Sequence, residues 1–249
     1  MNAETIIARR PHKIIYREGN QCIKAFDEAF SKADILNEAL NHARIETTGL
    51  PIPKLLGVNV VDGKWAIITE FIEGRTLAQL MLENPEKKQS YLELFVDLQL
   101  KMHSVTCPTL NKLKDKMHGK ISRSGLDATT RYDLHIHLDS MPKHSKVCHG
   151  DFNPTNIIID AEGNPHILDW SHATQGNASA DAARTYLLFC LSGEEETAKK
   201  YLQLFCKKSD TAMQYVQKWM PIVAASQSVK GNEKEREFLL SWVNVVDWQ

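Results

Sequence analysis

His149-Gly150-Asp151-Phe152-Asn153-Pro154-Thr155-Asn156, running into Ile157-Ile158-Ile159-Asp160, is the stretch that decides the fold. Gly150 and Pro154 make the chain turn around Asp151, and Asn156 ends that loop where an apolar strand begins. Ala161-Glu162-Gly163-Asn164 reads as a turn, and His166-Ile167-Leu168-Asp169 as the returning strand. Such a hairpin carries Asp169, thirteen positions after Asn156, back to where Asn156 enters the first strand. An amide oxygen and a carboxylate then meet beside a second carboxylate, Asp151.

Hard oxygen donors of this kind suit Mg²⁺, which takes few protein groups and keeps sites for phosphate and water. Phosphoryl transfer needs such parts. A metal offsets phosphate charge, and a carboxylate near the acceptor hydroxyl aligns it and takes its proton. Asn156 and Asp169 are the candidate metal ligands, and Asp151 the candidate base. A single Asp or Asn in a loop is usually a turn or a cap. It is the combination of loop, apolar strand, Gly turn and apolar-Asp-Trp that carries the argument.

Upstream, Lys13–Arg17 and Cys22–Phe26 flank Glu18-Gly19-Asn20-Gln21 and read as a hairpin. Residues 31–45 read as a helix. Ser31 with Asp34 three positions later is a capping start, and Ile35, Leu36, Ala39, Leu40 and Ala43 form the expected apolar stripe. Pro51 and Pro53 break it, and a second hairpin turns at Asp62-Gly63 between 55–61 and 65–71.

Beyond residue 75 the period becomes helical, over 75–83 and 88–105, with Leu92, Phe95, Leu98 and Met102 on one face. The polar stretch 107–145 is expected to hold one or two helices, including Ala128–His137, and helices follow from Asp181. The pattern predicts an α+β chain: an antiparallel sheet with one helix over residues 1–73, then a mostly helical lobe over 74–249. The division falls near Glu73-Gly74, and a ligand cleft is expected between the lobes.

The 249 residues carry 30 basic and 31 acidic side chains, a formal charge of −1. That gives no general electrostatic drive toward nucleic acid or an anionic membrane. Cys22, Cys107, Cys148, Cys190 and Cys206 are odd in number, widely spaced and without a CxxC pair, which points to a reducing compartment. No apolar run is long enough to span a bilayer, and residues 1–5 lack a secretory pattern, so a cytoplasmic location is expected. His135-Ile136-His137 lacks further ligands at zinc spacing. Cys148 and His149, adjacent in a strand, point to opposite faces and are poorly placed to share a proton.

The stretch from His149 to Asp169 resembles the catalytic loop and metal-binding segment of the aminoglycoside phosphotransferase family, which includes choline kinase-like enzymes. It is similar to the protein kinase loop HRDxxxxN, with Gly150 in place of Arg and Asp169-Trp170 in place of Asp-Phe-Gly. The segments 181–188 and 219–225 resemble later helices of bacterial members. The resemblance implies a bilobal protein kinase-like fold. Within it Lys24, on the second strand of the first hairpin, would hold the α/β-phosphates. Glu38, at the border of the helical stripe, would pair with Lys24, with Glu46 the weaker rival. The Glu70 carbonyl and the Ile72 N–H would pair with adenine, and Asp181 and Arg184 would brace the catalytic loop. His149 is expected to bond backbone carbonyls and so fix loop shape.

One departure stands out. No glycine-rich flap covers the phosphates: the first turn offers only residues 18–21, and Arg9-Arg10-Pro11-His12 stand just ahead of the first strand. The implied activity is transfer of a γ-phosphoryl group from ATP (or GTP), with Mg²⁺, to the hydroxyl of a small-molecule acceptor such as a hydroxylated amine, a choline-like compound or a sugar. Asp133 and Glu194–Glu196 are candidate acids for a cationic acceptor, against a default of solvated surface charge. Trp170, Trp219 and Trp242 are candidate aromatic walls, against a default of core packing. Two other readings are a nucleotide-binding pseudokinase and an atypical protein kinase. Lys24, Asp151, Asn156 and Asp169 are all present, which argues against the first. The short path from Asp169 to Asp181 leaves little room for a peptide-docking activation loop, which argues against the second.

Overall fold

Five strands form the first sheet: β1 (Thr5–Arg10), β2 (Lys13–Glu18), β3 (Gln21–Phe26), β4 (Leu55–Val61) and β5 (Lys64–Glu70). All neighbours are antiparallel, in the order β1-β2-β3-β5-β4. The computed structural model describes residues 5–229 and 231–243. Both predicted hairpins form, with their turns at Gly19-Asn20 and Asp62-Gly63. The edge strand β1 was not predicted, and Arg9 and Arg10 lie within it rather than ahead of the sheet. Its two-residue turn, Pro11-His12, carries no glycine, and His12 takes the left-handed conformation (φ 64°) itself.

Helix α1 (Lys32–Glu46) begins as expected, the Ser31 hydroxyl accepting the Asp34 amide at 3.1 Å. Such a cap contributes about 1 kcal/mol. Its buried face, however, is Ile35, Ala39, His42 and Ile45, not the full predicted stripe. Leu36 and Leu40 are 42% and 47% exposed. The sheet takes the flank one position round from the leucines, and that rotation carries Glu38 inward. Ile35 and Ala39 pack with Phe26 and Ile67 on one face of the sheet, while Tyr16, Ile23, Ala25 and Ala66 pack on the other. Each large side chain so buried contributes roughly 1.5–3 kcal/mol.

The remaining elements are β6 (Gly74–Thr76), α2 (Leu77–Glu83), α3 (Lys88–His103), α4 (Leu113–Ile121), α5 (Ala128–Ser140), β7 (Lys146–Cys148), β8 (Ile157–Asp160), β9 (Pro165–Ile167), β10 (Thr174–Gly176), α6 (Ala178–Leu191), α7 (Glu195–Ser209), α8 (Met213–Gln217), α9 (Met220–Gln227) and α10 (Glu233–Ser241). The described residues group into two compact units that do not follow a single cut in the sequence. One takes the residues up to Pro85 together with Pro154–His172, and the other Glu86–Asn153 with those from Ala173 onward.

In the first unit, β6 was not predicted as a strand. It pairs with β8, Gly74 standing opposite Asp160, and β8 pairs with β9. A Cβ at Gly74 would run into the Ile159 carbonyl oxygen, so the approach of these strands requires glycine. α2 starts in a capping box of Thr76 and Gln79. The turn Trp170–His172 packs on α1, and the Asn41 side chain donates to the Ser171 carbonyl at 3.4 Å.

In the second unit, α3 buries Leu92, Phe95, Leu98 and Met102 as predicted, together with Gln99 and His103. The predicted helix in 107–145 appears as α5, preceded by α4. Short strands β7 and β10 pair antiparallel, the latter unpredicted. Trp219 is fully buried, and Trp242 packs edge-on to Tyr186. Among the described residues no helix is long and apolar enough to cross a membrane.

Candidate active site

The groups expected on the phosphate side lie in the first unit. Lys24 sits in β3, Glu38 in α1, and Asp169 just after β9. Lys24 Nζ donates to Glu38 Oε1 at 2.5 Å and to Asp169 Oδ1 at 3.3 Å. The side chains of Lys24 and Glu38 are only 13% and 14% exposed. Burial alone would lower the Lys24 pKa, but the charges of Asp169 and Glu38 outweigh it, and Lys24 is held protonated above its ordinary value. Glu46, the rival partner, instead accepts the Leu55 amide at 3.0 Å.

The hairpin of β8 and β9 brings Asn156 and Asp169 to one end, as its spacing predicted. Ile157 stands opposite Ile167, and the Leu168 amide donates to the Asn156 carbonyl at 2.8 Å. Asp169 follows at once in the left-handed conformation (φ 56°), a geometry that Asp tolerates better than most residues. Trp170 anchors the far side. It is buried, and its indole N–H donates to the Ile167 carbonyl at 3.1 Å. A carboxylate and an amide, both hard oxygen donors, fit Mg²⁺ better than a softer metal.

Glu70 closes β5. The Glu70 and Phe71 amides donate to the Lys54 and Asn20 carbonyls, each at 2.9 Å, and so set the direction in which residues 71–73 leave the sheet. Arg17 lies over the Phe71 ring at 4.1 Å. Ile72 lies in this short segment, between β5 and β6.

Asp151 belongs to the second unit, in a loop braced by α6. Asp181, in the first turn of α6, accepts the Gly150 amide at 2.7 Å on Oδ1. Its Oδ2 accepts the His149 amide at 3.2 Å and bonds His103 Nε2 at 3.0 Å. Burial opposes ionisation of Asp181, but the His103 ring and the Gly150 amide more than compensate, and its carboxyl is held below the usual range. Gly150 adopts φ 79°, which a side chain would resist. His149 was expected to bond carbonyls; the contact seen here is with a backbone amide, its Nδ1 accepting the Asp151 N–H at 3.2 Å. The Asp151 carboxylate faces Arg184 at 3.7 Å, and Arg184 Nε is buried without a partner among the described residues.

A second brace was not predicted. The Phe152 carbonyl accepts from Thr185 Oγ1 at 3.0 Å, Thr185 Oγ1 from Gln99 Nε2 at 3.2 Å, and Gln99 Oε1 from the Tyr201 hydroxyl at 2.6 Å. This buried relay ties the loop to α3, α6 and α7. Burial keeps the Cys148 thiol well above its ordinary pKa, so no thiolate competes as nucleophile.

Residues 23–219 match the phosphotransferase enzyme family, a span that holds Lys24, Glu38, Asp151, Asn156 and Asp169. The chain belongs to this family. Among solved structures, a thermostable mutant of aminoglycoside phosphotransferase APH(4)-Ia, in ternary complex with ADP and hygromycin B, is similar with a TM-score of 0.73 at 13% identity. The match covers 98% of this chain and 92% of that one. Choline kinase LicA from Streptococcus pneumoniae gives 0.63 at 12% identity, over 96% and 92% of the two chains. A choline/ethanolamine kinase family protein from Mesorhizobium loti gives 0.65 at 13% identity, over 98% and 87%. No curated protein matches the chain. The α+β, kinase-like fold of this phosphotransferase is thereby shown. Sequence reasoning passed over three of its polar groups: Lys13, whose Nζ stands 3.8 Å from Asp169 Oδ2, and the buried Gln99 and His103 of α3.

Proposed function

We propose that this phosphotransferase is an ATP-dependent small-molecule kinase that phosphorylates an acceptor hydroxyl. The observation that carries the reading is the buried Lys24–Glu38 pair with Asp169 Oδ1 as its second partner. A protonated amine held between two acids, one of which forms with Asn156 a donor pair suited to a divalent ion, is poised to exchange that acid for a phosphate.

In this reading Lys24 orients the phosphates and Glu38 holds Lys24. The backbone at Glu70 and Ile72 receives the adenine. Asn156 and Asp169 would hold Mg²⁺, which when bound would offset phosphate charge. Asp151, its backbone fixed through Gly150 and His149, aligns the acceptor hydroxyl and takes its proton as the O–P bond forms and ADP leaves. The adenine nucleotide and hygromycin B in the APH(4)-Ia complex, and the choline kinase among the similar structures, support a hydroxyl-bearing acceptor such as a hydroxylated amine, a choline-like compound or a sugar.

The test is an ADP-release screen with Mg·ATP against hydroxylated amines, choline analogues, sugars and aminoglycosides. Acceptor-dependent ADP with phosphate on the acceptor is the expected result. Nucleotide binding without turnover on any of these acceptors would overturn it.

A further inference from the structure

The turn between β1 and β2 is two residues long, with Arg10 paired to Lys13 across it. Pro11 has no N–H, so this turn presents few backbone amides to an anion. Its charge is in its side chains. Lys13 opens β2 on the same face as Ile15, and Ile15 stands opposite Lys24. Lys13 Nζ lies 3.8 Å from Asp169 Oδ2, while Lys24 Nζ lies 3.3 Å from Oδ1 of the same carboxylate.

The two ammonium groups therefore flank one acid, with side chains only 23% and 13% exposed. At 3.8 Å the Lys13 contact is longer than a charge-assisted hydrogen bond, so Asp169 does not satisfy it. The root of Lys13 is fixed. The Asp27 amide donates to the His12 carbonyl at 3.0 Å, and His12 Nδ1 bonds Asp27 Oδ2 at 3.1 Å, which ties the turn to the end of β3.

We propose that Lys13 is a second triphosphate-binding cation, acting with Lys24 on the β- and γ-phosphate oxygens. The short basic turn supplies by side-chain charge what a glycine-rich flap supplies by backbone amides. Lys13 and Lys24 stand on neighbouring strands and share a carboxylate, so a polyanion that displaces the lysines from Asp169 gains both cations at once. The inference rests on the nucleotide reading above.

Calorimetric binding of Mg·ATP, Mg·ADP and AMP to the whole chain tests it. Lys13→Met is expected to weaken ATP by about tenfold or more, ADP less and AMP little, with Lys13→Arg restoring most of the ATP affinity. Lys13→Gln serves as a second neutral variant. Equal losses for all three nucleotides would mark a merely structural lysine and overturn the proposal, as would ATP affinity unchanged in both neutral variants. A wild-type chain that binds none of the three nucleotides removes the nucleotide reading itself. Wild-type binding with indifferent Lys13 variants removes this inference alone.

Discussion

Asp181 Oδ1 accepts the Gly150 amide at 2.7 Å, so the first turn of α6 holds the loop one residue from Asp151. The carboxylate is buried, and its other oxygen meets the His149 amide and the His103 ring. Its position thus depends on remaining ionised.

That dependence sets a pH prediction. A carboxyl held below its unfolded value stabilises the fold above about pH 4 and loses that contribution as pH falls toward the depressed folded value. Urea unfolding of the wild type is therefore expected to weaken from about pH 6 to about pH 3. Asp181→Asn is expected to be less stable near neutrality and to show a flatter profile over that range. An equally steep profile in the variant would assign the acid sensitivity to other carboxylates.

Asp151→Asn keeps the shape of the loop and removes the proposed proton acceptor. Its kcat is expected to fall by about 10² to 10⁴, with ATP affinity little changed. Steady-state kinetics on the true acceptor, with calorimetry for the nucleotide, makes the comparison. Full turnover in the variant would remove Asp151 from the assigned role.

Lys24→Met and Glu38→Gln separate the proposed phosphate contact from its support. Lys24→Met leaves Glu38 buried without its cation and is expected to raise the KM for ATP by about tenfold or more. Glu38→Gln still accepts a hydrogen bond but loses the charge, and a smaller rise is expected. A larger effect from Glu38→Gln than from Lys24→Met would reverse the order of dependence proposed here.

Gly74→Ala tests the strand contact under β6. The added methyl meets the Ile159 carbonyl, a backbone atom with little freedom to move. A loss of about 1–3 kcal/mol is expected, seen as a melting temperature lower by roughly 2–4 °C per kcal/mol in a chain of this size. An unchanged melting temperature would show that the β6–β8 pair relaxes freely.

Legibility in the sequence followed local chemistry. Gly19-Asn20 and Asp62-Gly63 announce their turns, and both hairpins could be read. Pro11-His12 announces nothing comparable, since His12 takes a positive φ without being glycine, and β1 and the closeness of Lys13 to Asp169 went unread with it. Glu38 was legible because the resemblance calls for an acid on the helix to pair with Lys24, and Glu38 stands at the border of the apolar stripe. The stripe itself was misread at Leu36 and Leu40, because periodicity cannot say which flank of a broad apolar face meets the sheet. Gln99 and His103 did carry a signal. They interrupt the face of Leu92, Phe95 and Met102, and polar groups on a buried face need partners. Those partners, Thr185 and Asp181, lie about eighty positions away, beyond any local pattern.

The backbone ladder from β6 to β8 has a consequence for how such an enzyme can change. It makes the segment after Glu70 and the hairpin that bears Asn156 and Asp169 parts of one folded body. In the proposed reading, substitutions that retune acceptor choice among the helices from Ala178 onward fall outside that ladder and outside the residues proposed to hold the nucleotide. New substrates can be explored by drift without relearning how to hold the phosphoryl donor.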